Sequence, residues 1–141
     1  ACGAELVCGG RNDTFAGLCV PEWMRDEFVD ESTGSIPDGL EGGTGHGVWV
    51  FGLATVPMDA VVRTRIDHPR PADLELTLTN PSGTTVMVWP RGAGAVPESI
   101  PVGVPGDESA NGEWILTVRD VVAGSTGTTR LFTLELTTRF D

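Results

Sequence analysis

The chain has 141 residues, yet it contains no lysine and no tyrosine, and its two histidines, His46 and His68, are its only imidazoles. All nine basic residues are therefore arginine, a bias that a GC-rich coding sequence produces. Twenty Asp and Glu outnumber them, and the formal net charge is -11. That deficit of positive charge excludes nucleic acid and anionic membranes as partners, because phosphates and headgroups would repel it. It favours solubility and leaves carboxylates for a hard cation such as calcium. No apolar run approaches the ~20 residues that cross a bilayer, so membrane insertion is not expected. The sequence begins at Ala1 without an initiator Met or a signal-peptide core, so a processed or excised chain is expected.

Cysteine is scarce and confined to one end: Cys2, Cys8 and Cys19, set among Gly3, Gly9, Gly10 and Gly17. The clustering suits a small disulfide-stapled extracellular segment, with the odd count leaving one thiol to stay free, to pair between chains or to have lost its partner. A zinc site is the competing reading, but C-x5-C-x10-C has no CxxC knuckle and His46 is far away. Residues 1–30 form this first unit, and Pro21 to Phe28 read as a short helix, with Pro at its first position and acids in the first turn. Residues 31–47, rich in Gly, Ser and Thr, read as a loop or irregular edge.

From Val48 onward the pattern is β. Val48 to Val56 reads as a strand with a possible bulge at Gly52, and Pro57-Met58-Asp59 as a turn. Val62, Thr64 and Ile66 alternate with Arg63 and Arg65, and Leu74, Leu76 and Leu78 with Glu75, Thr77 and Thr79. Arg63 or Arg65 across from Glu75 would fix register. Asn80-Pro81-Ser82-Gly83 is a turn into Thr85–Trp89. Residues 90–110, with four prolines, form a long connection between sheets of the kind Greek-key folds use. Trp114, Leu116 and Val118, and then Phe132, Leu134 and Leu136, point inward. The pattern predicts an all-β domain over residues 31–141, an antiparallel β-sandwich.

Three pieces in order carry a family resemblance: IPDG at Ile36–Gly39, HPRPADLELTLTNPSGTTV from His68 to Val86, and NGEWILTVRDVVAGSTGT from Asn111 to Thr128. Together with Phe132–Leu136 as a last strand, they make residues 36–140 resemble the P domain (Homo B domain) of kexin- and furin-like proprotein convertases and of secreted bacterial proteases. The family's Gly before Asp-Leu is Ala72 here, and the Asp usual after the last-turn glycine is Ser125. The resemblance implies a jelly-roll sandwich that is secreted and not itself catalytic. It would stabilise or target a protease, its partner being an enzyme domain of the same polypeptide. A second reading is a free-standing subunit that assembles with copies of itself, through its N-terminal arm, the odd cysteine or an exposed strand edge.

Candidate chemistry is thin. A Ser/His/Asp hydrolase would have to draw on His46 or His68, and Ser82 sits in a turn with no GxSxG elbow. Carboxylate pairs suited to glycoside hydrolysis arise by chance among twenty acids and carry no weight. Calcium is the better cation hypothesis: Asp38, Asp73 and Asp120 stand at motif positions at strand ends or turns, where loops of one sandwich end can converge. Against it, Asp38 and Asp73 are also residues that cap turns, and Asp120 could pair with an arginine. His68 reads as a strand-end residue bonded to backbone. Trp49, Trp89 and Trp114 suggest a carbohydrate-stacking row, with core or rim packing the simpler role.

Overall fold

A core built from alternate residues of eight paired strands organises the computed structural model. It describes residues 6–8, 19–21, 23–38, 43–54 and 56–139, with backbone alone for 6–8, 19–21 and 56. In chain order the strands are β1 (Leu6–Cys8), β2 (Cys19–Pro21), β3 (Trp23–Asp30), β4 (Gly34–Ile36), β5 (Thr44–Val50), β6 (Val56–Asp67), β7 (Leu74–Thr79), β8 (Thr85–Trp89), β9 (Ser99–Val102), β10 (Gly112–Asp120) and β11 (Gly127–Arg139). A 3-10 turn, Pro71–Asp73, precedes β7.

Two antiparallel sheets face each other. One has the order β5-β10-β7-β8 and the other β3-β11-β6-β9, with β4 pairing the start of β11. Between them lie Val48, Val50, Leu74, Leu76, Leu78, Trp114, Leu116 and Val118 from the first sheet and Ala60, Val62, Phe132, Leu134 and Leu136 from the second. This is the antiparallel β-sandwich that the alternation predicts. β1 and β2 form a separate two-stranded ribbon.

Several expectations are corrected. The helix over Pro21–Phe28 is not formed: Trp23–Asp30 is β3, paired along its whole length with β11. Met24 and Phe28 sit four apart, a spacing that shares a face in a helix and in a strand alike. The pairing partner decides between them, and its hydrogen bonds override local propensity. β5 starts at Thr44, inside the segment read as a loop, because its outward positions Gly45 and Gly47 are glycine and hide the alternation of His46, Val48 and Val50. The strand does not run on to Val56: β5 ends at Val50, before Gly52, whose φ is 77°. Pro57-Met58-Asp59 is not a turn but part of β6, and the register with β11 shifts between Thr137 and Thr138, opposite Pro57. A bulge there accommodates a residue with no N–H to give the ladder. Arg63 does not meet Glu75, since β6 and β7 lie in different sheets. It pairs with Glu27 at 3.2 Å and Glu135 at 3.5 Å, while Glu75 faces Arg119 at 3.7 Å. The connection over residues 90–110 does cross between sheets, and it also contains the short edge strand β9.

Candidate functional site

Four polar residues of the sequence motifs, Asp38, His68, Asp73 and Asp120, lie at one end of the sandwich, and two of them, His68 and Asp120, bond to each other. His68 follows β6 directly, and Asp120 closes β10. Their side chains are fully buried, and His68 Nε2 lies 3.0 Å from Asp120 Oδ2. His68 Nδ1 accepts the Arg70 amide at 3.0 Å, which makes Nε2 the protonated nitrogen and the donor to Asp120. The other Asp120 oxygen accepts the Val122 amide at 3.0 Å. One contact thus ties the exit of β6 in one sheet to the exit of β10 in the other. Gly127 makes room for it: a Cβ there would press on the Asp67 carbonyl and come within 2.6 Å of His68 Cδ2. Gly127→Ala should therefore cost about 1–3 kcal/mol by overpacking, read as a lower midpoint in urea. The sequence reading placed His68 at a strand end with a backbone bond, as found, but assigned Asp120 to calcium or an arginine.

Asp38 lies at the same end. Its Oδ1 accepts the amides of Gly124 at 2.6 Å and Ser125 at 3.1 Å, so it caps the turn between β10 and β11 from across the fold. Asp38→Ala should lower stability by about 1 kcal/mol, as loss of a capping carboxylate does, and a thermal melt checks it. Asp73 ends the 3-10 turn. Arg70 Nε lies 3.1 Å from its Oδ2 but is not aligned to donate, which leaves that buried oxygen without a hydrogen bond. The three aspartates do not fit a calcium ion as they stand. The oxygens of Asp38 and Asp120 that make contacts face N–H groups, which a cation would have to displace, and among the described residues no three His, Cys, Asp or Glu side chains converge as metal ligands. We expect the same melting temperature in millimolar calcium and in chelator, and a clear rise in calcium would mean that this end rearranges around an ion.

Two further polar ties were not foreseen. Asn80 opens the β7–β8 turn, its Oδ1 accepting the amides of Ser82 at 3.1 Å and Thr84 at 2.9 Å. Glu108, from the long connection, binds Asn80 Nδ2 through one oxygen and Thr84 Oγ1 at 2.7 Å through the other. These bonds to Asn80 and Thr84 hold the Glu108 carboxyl below its usual range. Asn111 uses its amide as a strand would, accepting from Leu53 N at 3.1 Å and donating to Leu53 O at 2.9 Å. The Asn-Gly signal marked residue 111 as a turn, but nothing local reveals a partner 58 residues away.

At the open side of the sandwich, where β3 and β5 meet, His46 is buried at 3% exposure. Its Nδ1 lies 3.2 Å from Asp30 Oδ2 and 3.2 Å from Ser32 Oγ, and its Nε2 bonds Thr129 Oγ1. Carboxylate, imidazole and hydroxyl stand in the order of a hydrolytic triad, but Thr129 is 0% exposed and no substrate reaches its hydroxyl. The cluster is a clasp between strands. Burial pushes the Asp30 carboxyl up, but the amide and hydroxyl of Ser32 and the His46 ring together outweigh it and hold it below its ordinary value of 3.8. A carboxyl depressed in the folded state contributes stability above its unfolded pKa, and that contribution is lost as pH falls through the folded value. Stability should thus decline below about pH 4, and Asp30→Asn should flatten that acid limb in pH-dependent urea melts; an unchanged limb would remove Asp30 from the account.

Trp49, Trp89 and Trp114 do not form an exposed row. Trp114 is buried in the core at 1% exposure, Trp89 is half-buried with its Nε1 donating to Gly94 O at 3.3 Å, and Trp49 stands out at 67%. An open hollow of about 470 Å³ lies on the outer face of the second sheet, lined in part by Arg25, Asp59, Val61, Glu135 and Thr137. It offers no nucleophile beside a base.

This fold recurs in known proteins. The proprotein convertase P-domain family matches residues 58–136, more than half of the chain. The chain belongs to the P-domain family. Among solved structures, this P domain is similar to a serine protease of Aeromonas sobria in complex with its chaperone ORF2, with a TM-score of 0.75 and 17% identity over 86% of the chain. The same protease without the chaperone gives 0.71 and 19% over 85%. The P domain spans only 28% of those protease chains. A looser likeness, at 0.53 and 14% identity, covers 82% of this chain and 97% of FLHE. At these identities the likenesses establish the fold. No curated relative matches the sequence. The matched residues 58–136 include His68, Asp120, Asn80 and Glu108, so the His68–Asp120 and Asn80–Glu108 ties lie within the family region, whereas Asp30, Asp38, His46 and Leu53 lie before it.

Proposed function

We propose that this P domain is a non-catalytic extracellular accessory domain, which packs on the catalytic domain of a serine protease in the same polypeptide and stabilises it. The observation that carries the reading is how the motif residues are used. His68, Asp120, Asn80 and Asn111 all spend their polar groups on one another, on Glu108 or on backbone, so they build a rigid body and leave nothing poised to react. The family membership and the likeness to domains that make up just over a quarter of Aeromonas sobria protease chains support a protease as the partner. No helix among the described residues is long and apolar enough to cross a membrane. The excess of acid over base suits a soluble surface.

The test is direct. The parent protease is prepared with and without this domain, and the inactivation half-life of its catalytic activity is measured. The proposal expects a shorter half-life without the domain, with the kcat/KM of freshly prepared enzyme little changed. Equal half-lives would refute it.

A further inference from the structure

We infer that Cys8 and Cys19 form an intrachain disulfide, leaving Cys2 as the odd thiol of the chain. The sequence alone allows any pairing of the three. The backbone of the terminal ribbon narrows it: β1 and β2 are antiparallel in the register Leu6 to Pro21, Val7 to Val20 and Cys8 to Cys19, so the two cysteines are direct cross-strand partners. Direct partners in an antiparallel pair stand on the same face of the ribbon. Their Cα atoms are then about 4.5–5.5 Å apart, inside the ~4.4–6.8 Å range that a disulfide spans. A slip of one residue in either strand would put the two on opposite faces and forbid the bond.

The position within the ribbon gives an independent reason. Cys8 is the last residue of β1 and Cys19 the first of β2, so a bond between them closes the connection 9–18 at its neck. The ribbon is three residues per strand and joins neither sheet of the sandwich. An isolated hairpin of this length is marginal in water at best, and closing its connection costs entropy on each opening. A covalent bond at the neck removes that cost from the unfolded state.

The chemistry needs an oxidant, and a glutathione-type disulfide supplies it. The thiolate of one cysteine attacks that disulfide, releasing one thiol and forming a mixed disulfide. The second cysteine thiolate then displaces the other thiol. Two cysteines are oxidised, one disulfide is reduced to two thiols, and the protons leave with them.

The experiment is alkylation of the whole chain after folding in a glutathione redox buffer. The protein is denatured without reductant, treated with iodoacetamide and digested. The inference expects a Cys8–Cys19 linked peptide, with the alkyl group, or a bond to glutathione or a second chain, on Cys2 alone. Three alkylated cysteines before reduction, or a linked peptide joining Cys2 to Cys8 or to Cys19 of the same chain, would overturn it. The reading rests on the wild-type chain, so no variant has to fold for it to be decided, and it stands or falls separately from the protease partnership.

Discussion

Asp120→Ala should destabilise the domain by about 3 kcal/mol, because a buried donor and a half-buried one lose their acceptor at once. His68 Nε2–H, in a side chain with no exposure, is left facing nothing, and so is the Val122 amide. Each such orphan costs about 1–3 kcal/mol. For a domain of this size the midpoint of thermal unfolding should drop by ~10 °C. Asp120→Asn should be milder, since a carboxamide oxygen can still accept one of the two. The decisive comparison is a double-mutant cycle with His68→Ala. Because the two side chains act through one bond, the costs should overlap by about 1–3 kcal/mol rather than add. Fully additive costs would mean that the bond across the sheets contributes nothing of its own.

Trp114→Ala should cost more still, about 3–5 kcal/mol in equilibrium urea unfolding. The indole, on the third residue of β10, is 1% exposed, and its Nε1 donates to the carbonyl of Ala110 at 2.8 Å. Removing it opens a cavity between the sheets and strands a buried carbonyl. Trp114→Phe should recover much of the packing and none of the hydrogen bond, and so fall between the two. Trp49, 67% exposed on the outer face of the same sheet, is the internal control: Trp49→Ala should stay within about 0.5 kcal/mol of the parent. A loss at Trp49 as large as that at Trp114 would contradict the assignment of faces.

The faces of β7, β10, the Val62–Ile66 part of β6 and the Phe132–Leu136 part of β11 were legible in the sequence because large apolar residues recur there at nearly every second position. Leu74, Leu76, Leu78, Trp114, Leu116, Val118, Phe132, Leu134 and Leu136 are all buried as that period requires. Where the period is broken, the reading failed for a physical reason. Gly45 and Gly47 carry no side chain to mark the outer face of β5. Met24 and Phe28 fit a helix and a strand equally until β11 is known to lie alongside. Pro57 signals a turn unless a bulge beside it in β6, at Met58, absorbs it. The candidate site was legible in its residues and not in its bonds. Asp38, His68 and Asp120 were singled out, but Asp38 bonds Gly124 and Ser125 and Asp120 bonds His68, partners set by the way the sheets stack. Glu108 carried no local signal, because its place against Asn80 and Thr84 is created by the long connection that brings it there.

Whether this domain is joined to the protease it serves is read from the native species that carries it. That species is captured through this domain, labelled with a fluorophosphonate probe, and its mass is measured after denaturation with reductant. The account predicts a polypeptide much heavier than 14.9 kDa, carrying the probe on a serine outside this sequence. A reduced species of 14.9 kDa that takes no label would contradict it, and would make an independent, self-associating subunit the better description.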